Sequence, residues 1–160
     1  MTKNLKLKRP ITIFRSKNSL EKWGYIELNS NQNIILPFIY RQANQFSECG
    51  LAVVELDNLY GIIDTKGNWF IEPKYYEVYN FENYSLSESF TFANNDKKHC
   101  LISSIYGQIT DFVFDSSFHL WHKDYTKCSI DNKDYILDRQ YNLYTKTETK
   151  LIFVKNIKIV

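Results

Sequence analysis

Trp23-Gly24-Tyr25-Ile26-Glu27 returns 37 residues later as Tyr60-Gly61-Ile62-Ile63-Asp64. Each copy opens on an aromatic-glycine pair, runs on through apolar residues and ends in an acid. A turn-prone stretch follows, Asn29-Ser30-Asn31-Gln32-Asn33 in the first copy and Thr65-Lys66-Gly67-Asn68 in the second. Then comes a second apolar run with a proline, Ile34-Ile35-Leu36-Pro37 and Trp69-Phe70-Ile71-Glu72-Pro73. The pattern predicts strand, tight turn, strand, because Gly67-Asn68 supplies the positive φ of a hairpin turn. Pro37 and Pro73 are expected at strand termini, since proline has no N–H to give to a ladder.

Working outward, the spacing after each proline changes to i, i+3, i+6: Tyr40, Ala43, Phe46 and Tyr75, Val78, Phe81. That period is too tight for an α-helix and wrong for a strand. It fits a turn or irregular loop that plugs side chains back into a core. Gly50-Leu51-Ala52-Val53-Val54-Glu55-Leu56 reads as the next strand, joined through Asp57-Asn58 to the second Tyr-Gly strand. The same junction recurs at an offset of 74, twice the period, as Ile130-Asp131-Asn132 with Ile136-Leu137-Asp138.

Between them lies a drifted copy: Phe90 to Ala93, a polar turn, then His99-Cys100-Leu101-Ile102-Ser103, with Gly107 in the place of Gly67. A truncated leading copy runs from Ile11 to Phe14 and turns around Lys17-Asn18 into Trp23. Leu151 to Val154 and Ile157 to Val160, parted by Lys155-Asn156, read as a last hairpin or pair of strand fragments. The expected fold is therefore all-β, with about four hairpin units of roughly 37 residues stacked on one another. The array is either an open curved solenoid or propeller-like. No linker or low-complexity stretch divides residues 1–160, so a single domain is expected.

Composition agrees. Twelve Tyr, 11 Phe and 3 Trp against only five Gly favour pleated, half-buried surfaces. A net charge of +2 is too mild to recruit nucleic acid or an anionic membrane. The basic run Lys3, Lys6, Lys8, Arg9 reads as a solubilising end. Cys49, Cys100 and Cys128 are an odd set without CxxC spacing, which points to a reducing compartment. No secretory h-region and no run of 18 apolar residues is visible, so a cytoplasmic location without membrane contact is expected.

These residues resemble the bacterial WG-repeat (WG/KWG β-repeat) family. Its units read roughly Trp-Gly-[Phe/Tyr]-Ile-[Asp/Asn], then Lys-x-Gly, an apolar strand with proline, Tyr, an aromatic, and Gly-Leu-Ala-x-Val. The first unit supplies Trp23-Gly24-Tyr25-Ile26, Tyr40, Phe46 and Gly50-Leu51-Ala52-Val53-Val54; the second supplies Tyr60-Gly61-Ile62-Ile63-Asp64, Lys66-Gly67, Ile71-Glu72-Pro73 and Tyr75. The match is strong over residues 22–81. Further on, Cys100 and Tyr135 stand in the glycine position and His99 and Asp134 in the Trp position. The resemblance implies a β-rich protein-interaction module with no catalytic residue and no cofactor.

Chemistry-bearing patterns are sparse. His119, His122 and Cys128 carry zinc-type ligand atoms, but the spacing is loose and lacks a second Cys pair. A structural or surface role is expected for them, and no metal. Neither Cys100 nor Cys128 has a local oxyanion turn that would suit a nucleophile. Glu27, Asp64 and Asp138 recur at one repeat position, as acids accepting hydrogen bonds from turn N–H groups would.

Two segments leave the repeat. Residues 76–90 and 112–125 mix aromatics with small polar and charged residues, as protein-binding surfaces do. The candidate partner-binding residues are Tyr79, Glu82, Tyr84, Glu88, Phe118, Trp121 and Tyr125; the other reading makes their rings core plugs. The expected function is a non-enzymatic protein-binding module, specifically an immunity (antitoxin) protein that occludes a toxin and is monomeric when free. The alternatives are a generic scaffold repeat domain, or a metal-dependent enzyme using His119, His122 and Cys128.

Overall fold

The computed structural model describes residues 13–28, 31–82, 88–117 and 124–158, and every regular element among them is a β-strand. Four antiparallel meanders follow one another along the chain. The first holds β1 (Ile13–Lys17), β2 (Trp23–Glu27) and β3 (Ile34–Tyr40). The second holds β4 (Gln42–Ala43), β5 (Leu51–Leu56), β6 (Leu59–Asp64) and β7 (Trp69–Tyr75). The third holds β8 (Glu77–Val78), β9 (Phe90–Asn94), β10 (His99–Ser103) and β11 (Gly107–Gln108). The fourth holds β12 (Ser116–Ser117), β13 (Tyr125–Ile130), β14 (Lys133–Asp138), β15 (Asn142–Lys146) and β16 (Leu151–Asn156). None of the sheets closes into a barrel.

The sequence repeat and the sheet are out of phase. A repeat beginning at Trp23 gives β2 and β3 to one sheet and β4 and β5 to the next. The crossing is made by the segment with three-residue spacing. Its plugs Tyr40, Ala43, Phe46 and Tyr75, Val78, Phe81 are all buried. Within each loop two residues also form a short strand, β4 or β8, that pairs with the hairpin of the following sheet. The fourth sheet has the equivalent in β12, paired with β13.

Stacked this way, the inner strands have no solvent face. Alternate side chains of β5 divide between two cores: Ala52 and Val54 pack with Tyr25, Tyr40 and Phe46, while Leu51 and Val53 pack with Ile62, Tyr75 and Phe81. β10 repeats the device, sending Cys100 and Ile102 to the second core and Leu101 to a third with Phe90, Phe92 and Phe114. Period-2 alternation of apolar residues on both faces makes such strands read as continuous hydrophobic runs. The fourth sheet ends the stack differently. Along β13 Thr126 and Cys128 are buried, whereas Tyr125 and Lys127 are exposed. This polar outer face is what a terminal repeat needs.

The aromatic-glycine pair has a steric reason. A Cβ on Gly24 would lie 2.9 Å from the carbonyl oxygens of Leu36 and Pro37, and one on Gly61 would lie 2.8 Å from Ile71 O and Pro73 N. Backbone passes directly over each glycine. The ladder bulges there, between Tyr60/Tyr75 and Ile62/Ile71 in the second sheet and between Trp23/Tyr40 and Tyr25/Leu36 in the first. Pro37 and Pro73 therefore lie inside β3 and β7 rather than at strand termini, because a bulge frees the position from donating to the ladder. Cys100 and Tyr135 replace that glycine in the later copies, and past β11 the chain still returns along β10 on either side of Cys100, with Ile109 N–H donating to Leu101 O and His99 paired with Phe114. β11 pairs with β10 only at Ile102/Gln108 and Ser103/Gly107, and β15 meets β14 only at Ile136/Tyr144 and Leu137/Leu143. The C-terminal half keeps its hairpins, with an irregular return opposite His99 to Leu101 in the third sheet and a register shift at Leu143/Tyr144 in the fourth.

Turn chemistry recurs with the repeat. Asp57-Asn58 and Asp131-Asn132 both have positive φ at the two loop positions, the pattern of a type I′ hairpin. Asp64 Oδ1 accepts from the Lys66 and Asn68 amides at 2.8 and 2.9 Å, and Asp138 Oδ1 accepts from those of Gln140 and Asn142 at 2.9 Å each. Gly67 and Gly107 have φ of 83° and 77°, and Tyr141 takes the same conformation at 67°. At the C-terminal end the sequence predicts a hairpin or pair of strand fragments from residues 151–154 and 157–160; the turn expected at Lys155-Asn156 is absent, and residues 159 and 160 lie outside the described residues. β16 runs on through Lys155 and Asn156 and pairs back with β15.

Candidate protein-binding surface

Residues 76–90 leave the repeat in sequence. Tyr79 is half-buried near their start. Its ring stacks on His99 with centroids 6.0 Å apart at 17°, and its carbonyl accepts from Thr91 Oγ1 at 2.7 Å. Glu82 lies further in, its side chain 5% exposed, and accepts from Arg139 Nη1 at 2.9 Å and the Phe90 amide at 3.2 Å. Burial pushes the Glu82 carboxyl above its ordinary value, while the Arg139 guanidinium pulls the other way. Glu88 Oε1 accepts from Tyr141 O–H at 2.7 Å and also from Ser103 Oγ. Arg139 lies over the Phe90 ring, 5.4 Å from its centroid.

Glu82 and Glu88 are thus turned inward, each engaged with the β14–β15 turn of the fourth sheet. They clip the third sheet to the fourth at the two ends of residues 83–87, which fall outside the described residues together with Tyr84. Reasoning from sequence missed Arg139 and Tyr141. Tyr141 carries the one available signal, a bulky residue at the position of Gly67 in the repeat. Tyr125 opens β13 and is exposed on the outer face of the fourth sheet. Phe118, Trp121, His119 and His122 lie outside the described residues.

The thiols are core residues. Cys100 and Cys128 are fully buried in the second and third cores, and burial pushes both up to about 12. Desolvation also raises Cys49. A nucleophilic or metal-binding cysteine needs its thiolate within reach of a cation, the opposite environment. All three are free rather than disulfide-bonded. Among the described residues no group of three His, Cys, Asp or Glu side chains could hold a metal ion.

A groove of about 440 Å³ opens between the third and fourth sheets, lined in part by Lys98, Phe112, Asp131, Lys155 and Lys158. Its charges answer one another: Lys98 Nζ reaches Asp115 at 2.9 Å and Asp131 at 3.0 Å. Lys158 lies over the rings of Tyr106 and Tyr141, 4.3 and 5.2 Å from their centroids. Among the described residues no helix is long and apolar enough to cross a membrane.

Residues 23–60 and 60–87 match the family model of the WG containing repeat. Over this part of the chain the sequence is similar to two WG repeats. Their boundary falls at Tyr60, the first residue of the second aromatic-glycine pair, whose steric role the bulge explains. The WG repeat is a non-catalytic type of β-repeat, suggestive of an interaction module. No curated protein and no solved structure gives a significant match to the chain.

Proposed function

We propose that this protein is a non-enzymatic binding module whose partner is another protein, and that it serves as an immunity protein, holding a cognate toxin inactive in the cytoplasm. The observation that carries the reading is the WG array itself: its repeated residues are consumed in bulges, turns and core plugs. Chemistry is left little room where it was sought. Cys128 faces a core, and the repeated acids Asp64 and Asp138 are engaged by their own turns. The metal-enzyme alternative loses its described ligand to that burial. Three free cysteines suit reducing surroundings, and a net charge of +2 does not suit an acidic mimic of nucleic acid.

The test is affinity capture of the tagged full chain from its native host, followed by co-expression with any partner recovered. A stoichiometric partner that is toxic alone and harmless with this chain supports the immunity role. A partner without toxicity overturns that role and leaves the binding module. Recovery of no stoichiometric protein overturns both.

A further inference from the structure

Two edge strands, β3 and β16, expose rows of large apolar side chains. On β3 these are Ile34, Ile35 and Ile39, but Pro37 and the bulge opposite Gly24 interrupt that edge. Proline and bulges are devices that blunt an edge against further pairing. β16 has no proline. All six of its residues are exposed, with Leu151 at 50%, Ile152 at 42%, Phe153 at 57% and Val154 at 43%. It is the last strand of a five-stranded sheet and, among the described residues, pairs with β15 alone. Four consecutive apolar residues exposed on both faces of an unpaired edge mark a surface made to be covered.

Charge around the strand decides between occupants. Lys146, Lys150, Lys155 and Lys158 bracket the apolar row, all exposed, with Glu148 the one acid among them. A second copy adding β16 to β16 would bring these lysines against their own kind, and like charges facing across a ladder oppose pairing. An apolar strand with carboxylates at its ends has no such conflict.

We propose that β16 is a docking edge that takes an extended apolar segment of a partner protein, flanked by carboxylates, as an added strand of the fourth sheet. This rests on the reading of the chain as a protein-binding module and names the chemistry the partner presents. Backbone hydrogen bonds along the free edge supply affinity, and side chains alternating over the two faces of β16 supply selectivity. Phe153 is already held for this, edge-on to Tyr144 with centroids 5.9 Å apart at 72°. The lysines fix the segment's register by pairing with its terminal acids.

The test uses the full chain and two fluorescein-labelled peptides read by anisotropy, Asp-Glu-Val-Ile-Val-Ile-Glu-Asp and Lys-Arg-Val-Ile-Val-Ile-Arg-Lys. The acidic-flanked peptide is expected to bind about tenfold more tightly, the sum of a few cross-strand charge pairs. Lys150→Glu with Lys155→Glu should reverse that order. Phe153→Lys should abolish binding of the acidic peptide while leaving the thermal midpoint near that of the parent, since the position is exposed. Equal binding of the two peptides, or binding that survives Phe153→Lys, overturns the proposal. So does a dimer in sedimentation equilibrium that Phe153→Lys dissociates, because a second copy would then be the occupant. A native partner still held by the Phe153→Lys protein rejects the β16 site and leaves the binding module standing. Absence of any native partner rejects the module itself.

Discussion

Gly61 and Gly67 lie six positions apart and are glycine for different reasons. At Gly61 the space is closed by backbone: Ile71 O and Pro73 N stand 2.8 Å from where a Cβ would sit. Backbone in a bulged ladder cannot yield as a side chain can. At Gly67 the demand is conformational, with φ at 83°, and the nearest obstacle is the flexible end of Leu36. Gly61→Ala should therefore cost about 2–3 kcal/mol, the upper range of overpacking. Gly67→Ala should cost about 1–2 kcal/mol, the left-handed penalty of an L-residue. Urea denaturation ranks them; equal or reversed costs would remove the close-approach account of the aromatic-glycine pair. Tyr141 shows that the conformational demand can be met without glycine. At φ 67° its ring is 6% exposed in the third core and its hydroxyl is bonded to Glu88, contacts that offset the strain.

Among elements, the tie between the third and fourth sheets includes a buried ion pair. Glu82 and Arg139 have side chains 5% and 12% exposed, so removing one partner strands the other in a poorly solvated place. Arg139→Ala should cost about 3–5 kcal/mol at neutral pH. The pH dependence has a definite sign. Burial already lifts the Glu82 carboxyl above its ordinary 4.5, so the native state binds the proton more tightly than the unfolded chain. Stability from this group accordingly rises as pH falls through the raised value and is complete below 4.5. Losing Arg139 removes the opposing influence and raises the carboxyl further. The deficit of Arg139→Ala, measured by urea denaturation, should thus be smaller at about pH 5 than at about pH 7; a deficit independent of pH would mean the pair is not what holds the sheets. This tie is also where sequence reading stopped. Hairpins, turn acids and the Tyr40-Ala43-Phe46 plugs were legible because each repeats at a fixed local spacing. Arg139 is 57 residues from Glu82 and repeats nothing. Glu82 and Glu88 stood out only as departures from the pattern, which suits an interface and a long-range clip equally well.

For the whole molecule, the consequence of two-sided strands is coupling. β5, β6, β9 and β10 each feed two of the three cores, so no core can be lost without unseating a strand that serves its neighbour. Repeat arrays in general have stabilities that add over units and interfaces, and their cooperativity fails where an interface is weak. Leu101 is a sharp probe because it is fully buried in the third core, while Trp23 and Trp69 pack on the first. Leu101→Ala should destabilise by about 2–5 kcal/mol through lost transfer energy and the cavity left behind. In a Trp121→Phe background, emission from Trp23 and Trp69 reports the far end of the stack alone. If the shared strands transmit the loss, the fluorescence transition in urea moves to lower denaturant together with far-UV circular dichroism, as one step. A fluorescence midpoint that stays in place while the dichroism splits into two steps would show that the first core survives without the third. The stack would then behave as separable units, and the inner strands would carry packing without carrying cooperativity.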